Sequence, residues 1–287
     1  MNLFRRSWRV QVGELVTGEL DVSFKIQRTL AARAGTCELE IHNLTPEHRR
    51  QILTAPRRTT YVSVDAGYLE GASRLFTGDL RKAIPVRDGP NWTVKVSAGD
   101  GEHAYRTARV SRSFAAGTPL HVAADALADA MGVGVGNARE QLASATLGAT
   151  GSAFPEGTVL QGQAAAELTR ICASAGLQWS IQDGNLQLLP LGGALQRTAI
   201  RLAADSGLVE APEVVNRRTI NVKALLQPGL VPGQQVVVDS DVVSGVWRIS
   251  EAAYAGDTAG QEWTASLTCH RPRPPVLSAG TYTTAVT

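Results

Sequence analysis

The sequence predicts a mainly β protein with an α+β insertion, in which two β-barrel-like domains flank a small helix-plus-hairpin domain. Three observations carry that prediction. Apolar and polar residues alternate in many short runs near both ends of the chain. Two helical periodicities and one hairpin signal cluster in the middle. Turn residues, among them 28 Gly and 13 Pro, separate the runs. At 287 residues, 44% of them hydrophobic, the chain is long enough for two modest domains or one domain with an insertion, and too apolar for general disorder.

The elements follow in order. Residues 1–16 carry Arg5, Arg6 and Arg9 with no apolar stretch behind them, which argues against a cleaved secretory signal. Nowhere is there a run of about 18 apolar residues to form a transmembrane helix. Alternation at Trp8, Val10 and Val12, at Leu20, Val22, Phe24 and Ile26, and at Cys37, Leu39 and Ile41 predicts three strands with one buried face. Thr45, Pro46 and Glu47 then supply an N-cap, a first-position proline and a first-turn acid for a short helix ending by Thr54 or Pro56. Strand patterns resume at 61–64, 75–80 and 92–96. Residues 97–102 read as a loop.

Thr118 and Pro119 open a helix with Leu120, Ala123, Ala124, Leu127 and Met131 on one face, stopped by the Gly-rich stretch 132–136. A second helix spans about 163–175, with Gly176 as its stop. The turn Asp183, Gly184 and Asn185 between two apolar runs is a strong hairpin signal. Strands return at 214–226, 236–238, 246–249 and 263–269. The boundaries are 1–107 for the first β domain, 108–200 for the insert, 201–271 for the second β domain and 272–287 for an extended, Pro-rich arm. No clear sequence repeat relates the two ends.

Little in the chain points to catalysis or to metal. The net charge of +2 is far from that of a dedicated nucleic-acid binder. Cations are Arg except for Lys25, Lys82, Lys95 and Lys223, a bias whose plainest source is GC-rich coding. Cys37, Cys172 and Cys269 are isolated and read as buried thiols made in a reducing cytoplasm. The glycines at 132, 134 and 136 follow a helix, where the dipole disfavours anions, so they read as a helix stop and flexible turn, not a phosphate loop. His42, His48, His103, His121 and His270 lack metal spacing. A carboxylate pair could be assembled from Asp65, Asp79, Asp100 and Glu102, but these read as solvated turn residues. Trp8, Trp92, Trp179, Trp247 and Trp263 could form stacking platforms; each also continues an apolar strand face, the ordinary core use. The expectation is a chain with no enzymatic activity and no cofactor.

Trp8-Arg9-Val10-Gln11-Val12, the segments 20–26, 40–45, 64–68 and 75–79, then Pro232-Gly233-Gln234, Gly245-Val246-Trp247-Arg248, Gly256-Asp257 and Glu262-Trp263 together resemble tailed-phage baseplate hub proteins, the late control protein D-like tail hubs. The resemblance runs from about Trp8 to Arg271 and is distributed, with no single diagnostic motif. It implies a structural virion protein with two related barrels per chain. Its homotrimer would join the six-fold tail tube (or a distal tail protein) to the three-fold central spike, among other baseplate proteins. DNA would pass through without sequence-specific binding, and there would be no membrane insertion. The implied location is the phage tail baseplate, assembled in the host cytoplasm. The chain is short for the hubs of large contractile tails, and it carries no lysozyme-like or peptidase domain. The arm is expected to dock on the spike through Pro272, Arg273, Pro274 and Pro275. The alternatives are a tail-associated cell-wall-degrading enzyme and a carbohydrate- or nucleic-acid-binding β module.

Overall fold

A computed structural model describes residues 5–69, 71–145 and 151–272. The N-terminal segment forms β1 (Arg6–Val12), β2 (Leu15–Thr17), β3 (Val22–Thr29), β4 (Gly35–His42), α1 (Pro46–Thr54), β5 (Tyr61–Tyr68), β6 (Ser73–Asp88) and β7 (Asn91–Asp100). The middle contains α2 (Glu102–Arg106), β8 (Arg109–Phe114), α3 (Leu120–Met131), α4 (Ala138–Ala143), β9 (Thr158–Gln163), α5 (Ala164–Ser174), β10 (Leu177–Gln182) and β11 (Asn185–Pro190). The last segment holds β12 (Ile200–Leu202), β13 (Glu213–Asn216), β14 (Thr219–Leu225), β15 (Gln235–Asp239), β16 (Ser244–Asp257) and β17 (Trp263–His270). The protein is mainly β, as expected.

Thirteen strands from the two ends join in one sheet whose main path is β13-β14-β17-β16-β3-β4-β7-β6-β5-β1-β2. The join is the antiparallel pairing of β16 with β3, from Glu251 opposite Thr29 to Asp257 opposite Ser23. β16 is long enough to serve two partners on that side: its first residues pair with β15 and, past an irregularity between Ile249 and Glu251, the rest pairs with β3. Period-2 burial is regular on these strands, as in β4, where Cys37, Leu39 and Ile41 are buried between exposed or half-buried neighbours. Those inward residues form one apolar core that draws on both ends of the chain, including Phe24, Ile41, Phe76, Trp247, Tyr254 and Trp263. Each fully buried large apolar side chain contributes about 1.5–3 kcal/mol.

The middle segment has its own core, rich in alanine: Ala104, Ala123, Ala124, Ala128 and Ala164 pack with Leu120, Leu127, Leu168 and Trp179. α3 ends on Gly132 in the left-handed conformation (φ +66°), whose N–H reaches the carbonyls of Ala128 and Asp129. Thr45 caps α1 by accepting from the His48 N–H at 3.2 Å.

Several elements lie where the sequence gave no periodic signal. Residues 97–102, read as a loop, are the end of β7 and the start of α2. The β8–β9 ribbon buries little beyond Val110 and Leu160, so it has no alternation to detect. The run 214–226 is a hairpin, β13 turning at Arg217 and Arg218 into β14.

Candidate functional site

The best-defined polar constellation is the joint between the sheet and the middle segment. Alternation along β3 points Phe24, Ile26 and Arg28 the same way, inward, so Arg28 is 5% exposed and must find partners. Its Nη1 donates to the Leu75 carbonyl at 2.8 Å, its Nη2 to Asp183 Oδ2 at 2.7 Å and its Nε to Gln182 Oε1 at 3.1 Å. Asp183 and Gly184 both have positive φ (+53° and +74°), the geometry of a two-residue turn between β10 and β11. That turn inserts its backbone into the sheet: the N–H groups of Asp183 and Gly184 donate to Asp100 at 2.8 and 3.1 Å. Gln182 donates to the Thr29 carbonyl at 2.8 Å, and the Ile181 N–H donates to the Tyr105 hydroxyl at 2.9 Å.

The guanidinium bonds one carboxylate, Asp183, while its charge also acts on Asp100, and Asp183 Oδ1 is buried without a partner. Burial, then the Asp183 charge, push Asp100 up to about 6; Arg28 and the two N–H donors oppose the rise. Asp100 is therefore not the solvated turn residue that the sequence implied. It ends β7 in a place that only the docked hairpin creates.

The remaining expected residues are dispersed. Asp65 pairs with Arg74, and Glu102 with Arg106 and Arg81; of the four acids, Asp79 and Glu102 line one hollow of about 200 Å³, together with Arg58, Arg81 and Arg106. His42 contacts Thr93 Oγ1 at 3.0 Å and His270 contacts Thr219 Oγ1 at 3.1 Å. No group of three His, Cys, Asp or Glu among the described residues could hold a metal. All three cysteines are free and buried, and burial pushes Cys172 and Cys269 up to about 12. Gly134 and Gly136 are more than a flexible turn: a Cβ at Gly134 would overlap Asn185 Oδ1, and one at Gly136 the Leu186 carbonyl, so these glycines let the hairpin lie against the end of α3.

Trp179, Trp247 and Trp263 are buried. Arg49 lies 4.1 Å from the Trp92 ring centroid, Arg6 5.3 Å from that of Trp263 and Arg271 4.8 Å from that of Trp247, so these rings already have cationic partners within the chain. Pro272 follows Arg271 at the end of the described chain, just past β17; Arg273, Pro274 and Pro275 lie outside the described residues. Two hollows open on the sheet's polar face beside β16 and β17. One, of about 560 Å³, includes Gln27, Glu251, Ser266 and Lys223. The other, of about 610 Å³, lies against the middle segment and includes Trp179, Arg248 and His270.

A thirteen-stranded sheet thus runs across both ends of the chain and carries a small helical insert latched to it. The profile of the baseplate hub gp41 family matches residues 7–255, and the chain belongs to that family. No curated protein sequence matches it. Among solved structures, the 43 kDa tail protein of prophage MuSo2 from Shewanella oneidensis superposes with a TM-score of 0.63 at 15% identity, covering 93% of this chain and 98% of that one. The tail protein from Neisseria meningitidis MC58 gives 0.61 at 13%, covering 93% and 97%. The c3393 protein of E. coli, a type VI secretion component, gives 0.57 at 11%, covering 93% and 77%. Among the described residues no helix is long and apolar enough to cross a membrane.

Proposed function

We propose that this chain is the baseplate hub subunit of a phage tail, a non-enzymatic virion protein. Three copies would form a ring between the six-fold tail tube and the three-fold central spike, assembled in the host cytoplasm and enclosing the path of the DNA. The observation that carries this reading is the β16–β3 ladder. It joins strands from both ends of the chain into one surface, and in the proposed ring the N-terminal β unit (1–107) and the C-terminal one (201–271) would each contribute one barrel-like face. Three such chains present six faces to a hexagonal neighbour while keeping three-fold symmetry toward a spike. The family membership and the fold shared with tail proteins support the same assignment. Carboxylates held by Arg partners and thiols that are buried favour it over a cell-wall-degrading enzyme.

The test is stoichiometry in purified tails. Three copies per tail are expected against six tube subunits per ring; six copies would overturn the adaptor reading. The arm, residues 272–287, is assigned to the spike because its Pro-rich composition favours extended recognition. Deleting it should yield tails that lack the spike, and unchanged spike incorporation would refute that assignment.

A further inference from the structure

Lysine is rare in this chain: Lys25, Lys82, Lys95 and Lys223 are the only ones among 28 cationic side chains, and the other 24 are Arg. Residues paired directly across an antiparallel ladder project to the same face, as do residues two apart along a strand. Lys82 pairs with Ser97, Ser97 with Glu38, and Glu38 with Lys25. That row continues through Ala255 and Thr264 to Leu225. Lys95 stands two residues from Ser97 on β7, and Lys223 two residues from Leu225 on β14. All four lysines therefore occupy one face of the sheet, on strands from both ends of the chain.

On that face Arg248, directly opposite His270, is buried against the insert and donates to the Gly193 carbonyl, and Arg74 and Arg9 stand on the flank beyond Asp79 and Tyr61. β6 from Lys82 to Val86, β16 from Glu251 onward, and β3, β4, β7, β14 and β17 carry no Arg there. Arg33 and Arg81 approach only from the margin beside the insert, where Glu251 and Glu102 pair with them. Tyr61, opposite Asp79, marks the same flank; between the lysines the face carries no Phe, Tyr or Trp and presents mainly Ser, Thr, Ala and Glu. Lys95 bonds Glu40 at 2.7 Å and Lys223 bonds Glu210 at 2.7 Å. Next to Lys223 the surface is hollowed.

This is the chemistry of a surface that touches a polyanion without holding it. An arginine fork grips phosphate bidentately, whereas a lysine ammonium is a hydrated point charge that exchanges partners easily. Alternating Lys and Glu cancel within a Debye length of about 8–10 Å, so a passing duplex meets little net field. A protein interface would instead be enriched in aromatic residues and Arg, which this face carries only at its edges.

We infer that the lysine face is the wall of the passage through which double-stranded DNA slides. This assignment rests on the hub reading and names the surface that reading left open. The test places a photoreactive amino acid at Ser97 or at Thr264, with Val159 on β9 as the control, and irradiates assembled tails during DNA ejection. Crosslinks to DNA are expected from both Ser97 and Thr264 and none from Val159. Crosslinks confined to another tail protein, or DNA crosslinks from only one of the two positions, would overturn the wall assignment and leave the hub reading standing. Absence of the wild-type chain from purified tails would overturn both.

Discussion

Two joints hold this protein together, and they are made of different material. The two ends of the chain meet along β3 and β16, where continuous backbone hydrogen bonds run above a shared apolar core. The middle segment meets the sheet through side chains: Arg28, Asp100 and Gln182 around the Asp183–Gly184 turn, with Arg248 donating to the Gly193 carbonyl at 2.8 Å nearby. A backbone ladder tolerates almost any side-chain substitution that keeps the alternation. A side-chain latch depends on three or four particular atoms. The expected consequence is that the two β units lose structure together, while a single local change releases the insert.

The harshest way to break the first joint is Ala253→Pro in β16. It removes a ladder donor in a strand bonded on both sides and should cost about 3 kcal/mol or more. Calorimetry should show both β units losing stability in one transition; two separated transitions would mean that the sheet is not one cooperative unit. Arg28→Met attacks the second joint, leaving Asp183 and Asp100 without their cation. Since Asp183 is about a third exposed, the expected loss is about 2–4 kcal/mol, at the lower end of the cost of breaking a buried pair. Hydrogen exchange should accelerate at the β10–β11 hairpin and leave the β3–β16 ladder protected; equal acceleration in both would erase the distinction.

A smaller effect is expected from Gly136→Ala, which adds a Cβ against the Leu186 carbonyl at φ +54°. A loss of about 1–2 kcal/mol in denaturant unfolding should appear, confined by exchange to the insert. The smallest is a matter of pH. Asp100 holds its proton more tightly in the folded state (about 6) than its ordinary value of 3.8, so the folded state takes up a proton between those values. This group's contribution to stability thus grows as pH falls through that window and fades as pH rises past 6. Asp100→Asn cannot titrate, so the Tm difference between wild type and variant should shift in favour of wild type on acidification from pH 7 to 4. A pH-independent difference would remove Asp100 from the latch.

Legibility followed the same division. Period-2 alternation at Val22, Phe24 and Ile26 or at Cys37, Leu39 and Ile41 places strands because one face is dry and the other wet. Thr45–Pro46 and Gly132 mark helix ends for equally local reasons. The β8–β9 ribbon was invisible because its side chains are mostly exposed on both faces. Asp100 was misread because nothing in its own neighbours says that a turn more than eighty residues later will donate two N–H groups to it.

From the sequence alone came the mainly β character, the helical interruption, the hairpin turn and a resemblance spread over the strands, since each is a property of neighbouring residues and their solvent contrast. Tertiary structure alone decided that β3 and β16 pair, that Arg28 is neutralised from the insert and that four scattered lysines share a face. Those outcomes depend on contacts between segments far apart in the chain, 155 residues for Arg28 and Asp183 and more than two hundred for β3 and β16, and alternation within one strand fixes which side is buried without naming the strand beside it.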